Sequence, residues 1–266
     1  MAEAETVKLA FKRYSDSGPV LLVLHGLFGS QSNWGWHNKQ LAENFQVIGL
    51  DLRNHGESGH AERLDYSAMA ADVREFMREQ KIAHCHVLGH SMGGKVAMEI
   101  ALTTPDLIDK LIVVDIAPVS YDSKADGHLQ VMAGMRALNL QTLNNRKEAE
   151  EVLSQYIQDG ETRQFVLTNL QKQPAGGYRW RLNLDAIEAN YDSLRDQPTS
   201  SQPFVKPTLF IKGADSNYIQ AQHEEEIKAL FPDAKVKIVM GAGHWVHAEK
   251  PQAVQKIVSD FLLNDQ

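Results

Sequence analysis

Residues 88–98 read LGHSMGGKVAM, and two different structures compete for them. From Gly89 to Lys95 the spacing is G-x-x-x-x-G-K, the start of a loop that cradles phosphate on backbone amides. From Gly89 to Gly93 it is G-x-S-x-G, a tight strand-to-helix turn that lifts a serine above a sheet. The phosphate loop needs Ser or Thr directly after its lysine, because that hydroxyl ligates Mg²⁺. Here the position is Val96. Such a loop also usually opens its domain, whereas two strand–helix units precede this one, although LIVVD (111–115) does resemble the strand-end Asp of phosphate-loop proteins. The serine turn needs glycine at 89 and 93, where any side chain would meet the neighbouring strand and helix, and it has both. A short pattern recurs by chance, so the rest of the chain decides.

Around this stretch, short apolar runs alternate with helical patterns. PVLLVLHG (19–26), FQVIGLD (45–51), HCHVLG (84–89), KLIVVDIAP (110–118), PTLFIKG (207–213) and KVKIVMGAG (235–243) read as strands buried on both faces. Runs of that kind belong to parallel sheets covered by helices. TVKLAFKRYSDSGP (6–19) reads as an antiparallel edge strand closed by a turn. Met69, Val73, Phe76 and Met77 share one helix face, as do Val254, Ile257, Val258, Phe261 and Leu262 after Pro251. One interval breaks the alternation. Residues 119–202 hold no convincing buried strand; helical stretches at 127–138, 145–158, 161–172 and 184–194 end in the Pro/Ser-rich RDQPTSSQPFVKP. The expectation is a core of residues 1–118 and 203–266 with a helical cap at 119–202.

The 266 residues carry a net charge of −7, without the clustered Lys and Arg that nucleic acid or anionic lipid requires. Neither nucleic acid nor a membrane is expected as a partner. The single cysteine, Cys85, excludes an intrachain disulfide and fits a reducing compartment. MAEAETVKLAFKRY lacks the basic and apolar regions of a signal peptide, and no apolar run approaches the length of a bilayer. The expected protein is soluble and cytoplasmic. His84 and His86 flank Cys85, but strand alternation puts the cysteine on the opposite face, so no metal is expected there.

If Ser91 is a nucleophile, it needs a base, an acid and an oxyanion site. LHGLFGS (24–30) follows the first long strand, and its turn can aim the Leu27 N–H at the site, with Phe28 lining the pocket. The Met92 N–H supplies a second donor, and such amides are each worth a factor of about 10²–10³ in rate. GAGHWVHAEKP (241–251) puts His244 in a loop after the last strand, with His247 as a structural or surface residue. Two carboxylates end strands on the correct side of the sheet: Asp115 and Asp215.

The chain resembles the α/β-hydrolase superfamily over nearly its whole length. HGLFGS, DLRNHGES, GHSMGGKVAM, VVDIAPV, WRLNL and GAGHWVHAEKP together are similar to the narrower group of YbfF-like esterases. The resemblance implies an α/β-hydrolase fold, with a mostly parallel eight-stranded sheet, flanking helices and an inserted helical cap. It implies hydrolysis of acyl esters and acyl-CoA thioesters without a cofactor or metal, with Ser91 as nucleophile, His244 as base, and Leu27 and Met92 as oxyanion donors. It also implies Asp115 as the acid with Ser216 joining the hydrogen-bond network; counted from Gly213, Ser216 occupies the usual acid position and Asp215 falls one residue short. Phe28, Trp180, Tyr218 and Trp245 are the candidates for binding a small acyl substrate. Other readings of the same residues are a C–C bond hydrolase, a haloperoxidase-like enzyme, or a hydrolase-fold protein that only binds a ligand.

Overall fold

The computed structural model describes residues 5–122 and 127–264. In chain order the first half comprises β1 (Phe11–Arg13), β2 (Val20–Leu24), α1 (Gly35–Leu41), β3 (Gln46–Leu50), α2 (Tyr66–Glu79), β4 (Cys85–His90), α3 (Met92–Thr103) and β5 (Ile108–Val114). A long connection then carries α4 (His128–Ala137), α5 (Arg146–Leu153), α6 (Gly160–Leu167), β6 (Leu170–Lys172), β7 (Tyr178–Trp180) and α7 (Leu184–Ala189). The chain returns through β8 (Thr208–Gly213), α8 (Glu224–Leu230), β9 (Ala234–Val239), α9 (Val246–Glu249) and α10 (Pro251–Leu263). Residues 1–4 and 123–126, which fall within the expected core and cap, lie outside the described residues, as do 265–266.

The main sheet runs β1-β3-β2-β4-β5-β8-β9, with β1 antiparallel to β3 and all other pairs parallel. Strand alternation divides its side chains between two cores. Leu22, Leu24, Ile48, Val87, Val113 and Phe210 pack with α2 and α3, while Leu21, Val23, Leu88, Ile112 and Ile211 pack with α1 and α10. Because β2 has β3 on one side and β4 on the other, the chain reverses its direction of winding there. The crevice beyond the carboxyl ends of β2 and β4 is where open α/β sheets bind ligands.

Three expectations need correction. Among the described residues the main sheet has seven strands rather than eight: residues 5–10 form no strand, and the amides of Val7 and Ala10 donate to Asp72 Oδ1 and Ser58 Oγ. The last strand is not buried on both faces, because β9 is the outer strand and Lys235, Val236, Lys237 and Ile238 are exposed. The segment between β5 and β8 does contain strands. The helix expected over 161–172 stops at Leu167, and β6 pairs antiparallel with β7 through a turn in which Gly176 and Gly177 have φ of 96° and 73°. Two successive positive φ values are open to glycine at little cost. No helix among the described residues is long and apolar enough to cross a membrane.

Candidate active site

Ser91 sits between β4 and α3 with φ 51° and ψ −119°. That conformation costs a non-glycine residue energy, and its surroundings enforce it: the Ser91 N–H is held by the Val114 carbonyl at 3.0 Å and the Ser91 carbonyl by the Lys95 N–H at 3.0 Å. A Cβ on Gly93 would lie 2.5 Å from the Leu24 carbonyl oxygen, and one on Gly89 would lie 2.2 Å from that of Gly93. Both glycines are therefore required for α3 to approach β2 and β4. This is the strand–turn–helix arrangement of the serine reading.

The Ser91 hydroxyl donates to His244 Nε2 at 3.0 Å, and His244 Nδ1–H donates to Asp115 Oδ2 at 2.8 Å. Asp115 is fully buried at the end of β5. Its Oδ1 accepts the Gly213 amide at 3.0 Å and its Oδ2 accepts the Ser216 hydroxyl. Asp215, by contrast, is exposed. The loop carrying His244 is fixed from below: His90 Nε2–H donates to the His244 carbonyl at 3.0 Å, and buried His247 stacks on Trp34 at 4.4 Å. Chemically, this chain of bonds can move the serine proton to the imidazole while the carboxylate holds the ring's tautomer.

Beside Ser91 lies the 26–29 turn, closed by Gly29 N–H on the Gly26 carbonyl at 3.0 Å. Among the described residues no hydrogen bond occupies the Leu27 N–H, and the Met92 N–H, in the first turn of α3, has no intrahelical acceptor. The neighbouring Phe28 N–H is already used, donating to His55 Nε2 at 3.2 Å, while His55 Nδ1–H donates to the Arg53 carbonyl at 2.9 Å. His25 makes the companion link, its Nε2 accepting the Leu52 amide at 3.0 Å. Two neutral imidazoles thus wire the 25–29 turn to the RNHG loop. Arg53 anchors that loop through a buried bidentate pair with Asp72. This gives RNHG (53–56) a physical purpose that its sequence does not announce.

Two small recesses flank Ser91, sharing Leu27 and His128. One, of ≈ 30 Å³, is bounded by Tyr66, Tyr121, Tyr191 and Tyr218; the other, of ≈ 20 Å³, by Phe28, Phe165, Val166 and Trp245. Tyr218 stacks on the His244 ring at 4.0 Å, and Phe165 of α6 meets Trp245 at 4.3 Å. Phe28, Tyr218 and Trp245 therefore adjoin the serine. Trp180 does not: on β7 it lines a separate groove with His60, Met135 and Leu182. Lys95 also gains a reason. A buried residue of α3 itself, it donates through Nζ to the carbonyls of Val119 and Asp196 at 2.5 Å each, joining the two ends of the connection that bears α4–α7. Burial lowers its pKa to about 7.

Burial also holds imidazoles neutral: His25 is lowered to about 4, and His55 and His90 to about 3. In the unfolded chain they return to about 6.5. Between those values the unfolded chain binds protons that the folded one refuses, so acidification favours unfolding. Thermal melts should show a midpoint that falls steadily as the pH is lowered below about 6.5. A midpoint unchanged down to pH ~4.5 would contradict buried neutral histidines on this turn.

The α/β hydrolase fold family matches residues 19–251. The mouse sn-1-specific diacylglycerol lipase ABHD11 is 39% identical over 251 residues, covering 92% of this chain and 81% of that protein. Esterase YbfF of Escherichia coli K12 is 35% identical over 250 residues, 94% of each. Among solved structures, a marine microorganism esterase superposes with a TM-score of 0.94 at 39% identity, covering 96% of this chain and all 100% of the other.

Proposed function

Because the chain belongs to the α/β-hydrolase family, as an ester-hydrolysing enzyme of the esterase and lipase type, we propose that Ser91 is its nucleophile, His244 its base and Asp115 its acid. The observation that carries this reading is the unbroken bond chain from Ser91 Oγ through His244 to Asp115, at 3.0 and 2.8 Å. Ser91 attacks the ester carbonyl as His244 takes its proton. The Leu27 and Met92 amides receive the oxyanion, and His244 then protonates the leaving alcohol or thiol. Water releases the acyl group by the same steps. Ser216 supports the acid by donating to it, and residues 119–202 act as the cap.

The reading extends to substrate size. The recesses of ≈ 30 and ≈ 20 Å³ are an order of magnitude below the roughly 300–1,000 Å³ of a pocket for drug-sized ligands. Short acyl groups fit beside Ser91 as the cap lies, and a long chain requires the cap to move. The relatives' names include a diacylglycerol lipase and an esterase, so the substrate class is a carboxylic ester, with acyl-CoA thioesters as a further candidate. A panel of p-nitrophenyl esters and acyl-CoAs of graded chain length tests this. The expected kcat/KM is highest between acetyl and butyryl and falls about tenfold or more at long chains, each excluded methylene pair forfeiting apolar burial. A maximum at long chains would contradict the closed-cap reading.

A further inference from the structure

Phe28 has φ 59°, a region that a bulky side chain enters only when its surroundings impose it. Both peptide units beside it are tied, and to different parts of the chain. The unit before it donates its N–H to His55, in the RNHG loop of the core, at 3.2 Å. The unit after it presents its carbonyl to Asn169 Nδ2, in the segment between β5 and β8, at 2.7 Å. Asn169 is 2% exposed and is itself fixed within that segment: its N–H donates to the Val166 carbonyl at 3.0 Å and its carbonyl accepts the Arg181 N–H at 2.9 Å. The same segment touches the RNHG loop, where the Asn183 N–H donates to the Asn54 carbonyl at 2.8 Å, one residue before His55.

We propose that Asn169 is a positioning residue that sets the 26–29 turn, so that the Leu27 N–H faces the oxyanion only when the segment bearing α4–α7 is seated over Ser91. The proposal rests on the serine-esterase reading. It gives the seated segment a part in the chemical step as well as in substrate fit. A substrate that lets the segment close completes the oxyanion site, and one that holds it open leaves Leu27 misdirected. The effect lives in the transition state, because the donor matters most once charge has developed on the carbonyl oxygen.

The test uses the full-length enzyme and p-nitrophenyl acetate, whose acyl group is too small to report on cap fit. Asn169→Asp keeps the size and removes the donor; Asn169→Ala removes the side chain; Asn169→Gln restores a donor amide. Thermal midpoints identify which variants are folded. The Asp and Ala variants should lose about 10- to 100-fold in kcat, part of what deleting an oxyanion donor costs, with KM changed by less than about threefold. Affinity for a trifluoromethyl ketone, whose adduct carries the oxyanion, should fall in step with kcat/KM, and Gln should recover part of both. A folded Asp or Ala variant with kcat within about threefold of wild type, or a loss confined to KM, would overturn the proposal. If instead Ser91→Ala keeps its activity and the wild type ignores the ketone, the esterase reading itself has failed.

Discussion

Replacing Ser91 with alanine should lower kcat/KM toward ester substrates by about 10⁶-fold while leaving the protein folded, because a nucleophile that works as one unit with its base has no partial substitute. The size of the effect follows from the local geometry. The hydroxyl donates to His244 and touches little else, so its removal leaves no core cavity. The backbone at 91, with φ 51°, is held by Val114 and Lys95 through main-chain bonds that alanine retains. The thermal midpoint should therefore move by only a few degrees, as for other changes that leave burial intact. Turnover within tenfold of wild type would sink the assignment, whatever the fold.

The second large effect is expected at Asp115. Asparagine in its place offers His244 Nδ1 an amide that can present either hydrogens or a carbonyl, so the ring loses the tautomer that leaves Nε2 free to accept a proton. By analogy with other triads the cost is about 10⁴-fold in kcat. Ser216→Ala removes one hydrogen bond to a carboxylate that still has the Gly213 amide and His244, and should cost about 3- to 10-fold, the loss of one charge-assisted bond. Asp215→Asn should be close to neutral, since Asp215 is exposed. Measuring kcat for the three variants on one ester checks the ranking. A crippled Asp215 variant beside a mildly affected Asp115 variant would reverse the assignment of the acid.

The serine turn and its helix were legible in the sequence because glycine at 89 and 93 answers a local steric demand, visible in the close backbone approach at both positions. The parallel sheet was legible from continuous apolar runs. The exposure of β9 had its own signal in the alternating lysines 235 and 237, a common guard on edge strands. Other features have no local signature. The choice between Asp115 and Asp215 depends on how the ends of β5 and β8 turn toward the His244 loop, which spacing alone does not express. Asn169 meets Phe28 across 141 residues, and His55 meets it across 27. Residue type misled at Trp180, an aromatic beside many others, because the register of a short ribbon decides which groove it lines. The roles of His25, His55 and His90 have no local signature, for the opposite reason. Buried neutral imidazoles with one donor and one acceptor can bridge backbone groups of separate loops, and only the packed loops reveal which groups those are.

The measurement that most directly tests the central claim is the mass of the enzyme after reaction with a fluorophosphonate, followed by peptide mapping. A single adduct on Ser91 is expected, abolished in the Ser91→Ala variant and much slowed in Asp115→Asn, because the imidazole that activates the hydroxyl has lost its tautomer. An adduct on any other residue, or an active enzyme that takes none, would contradict it.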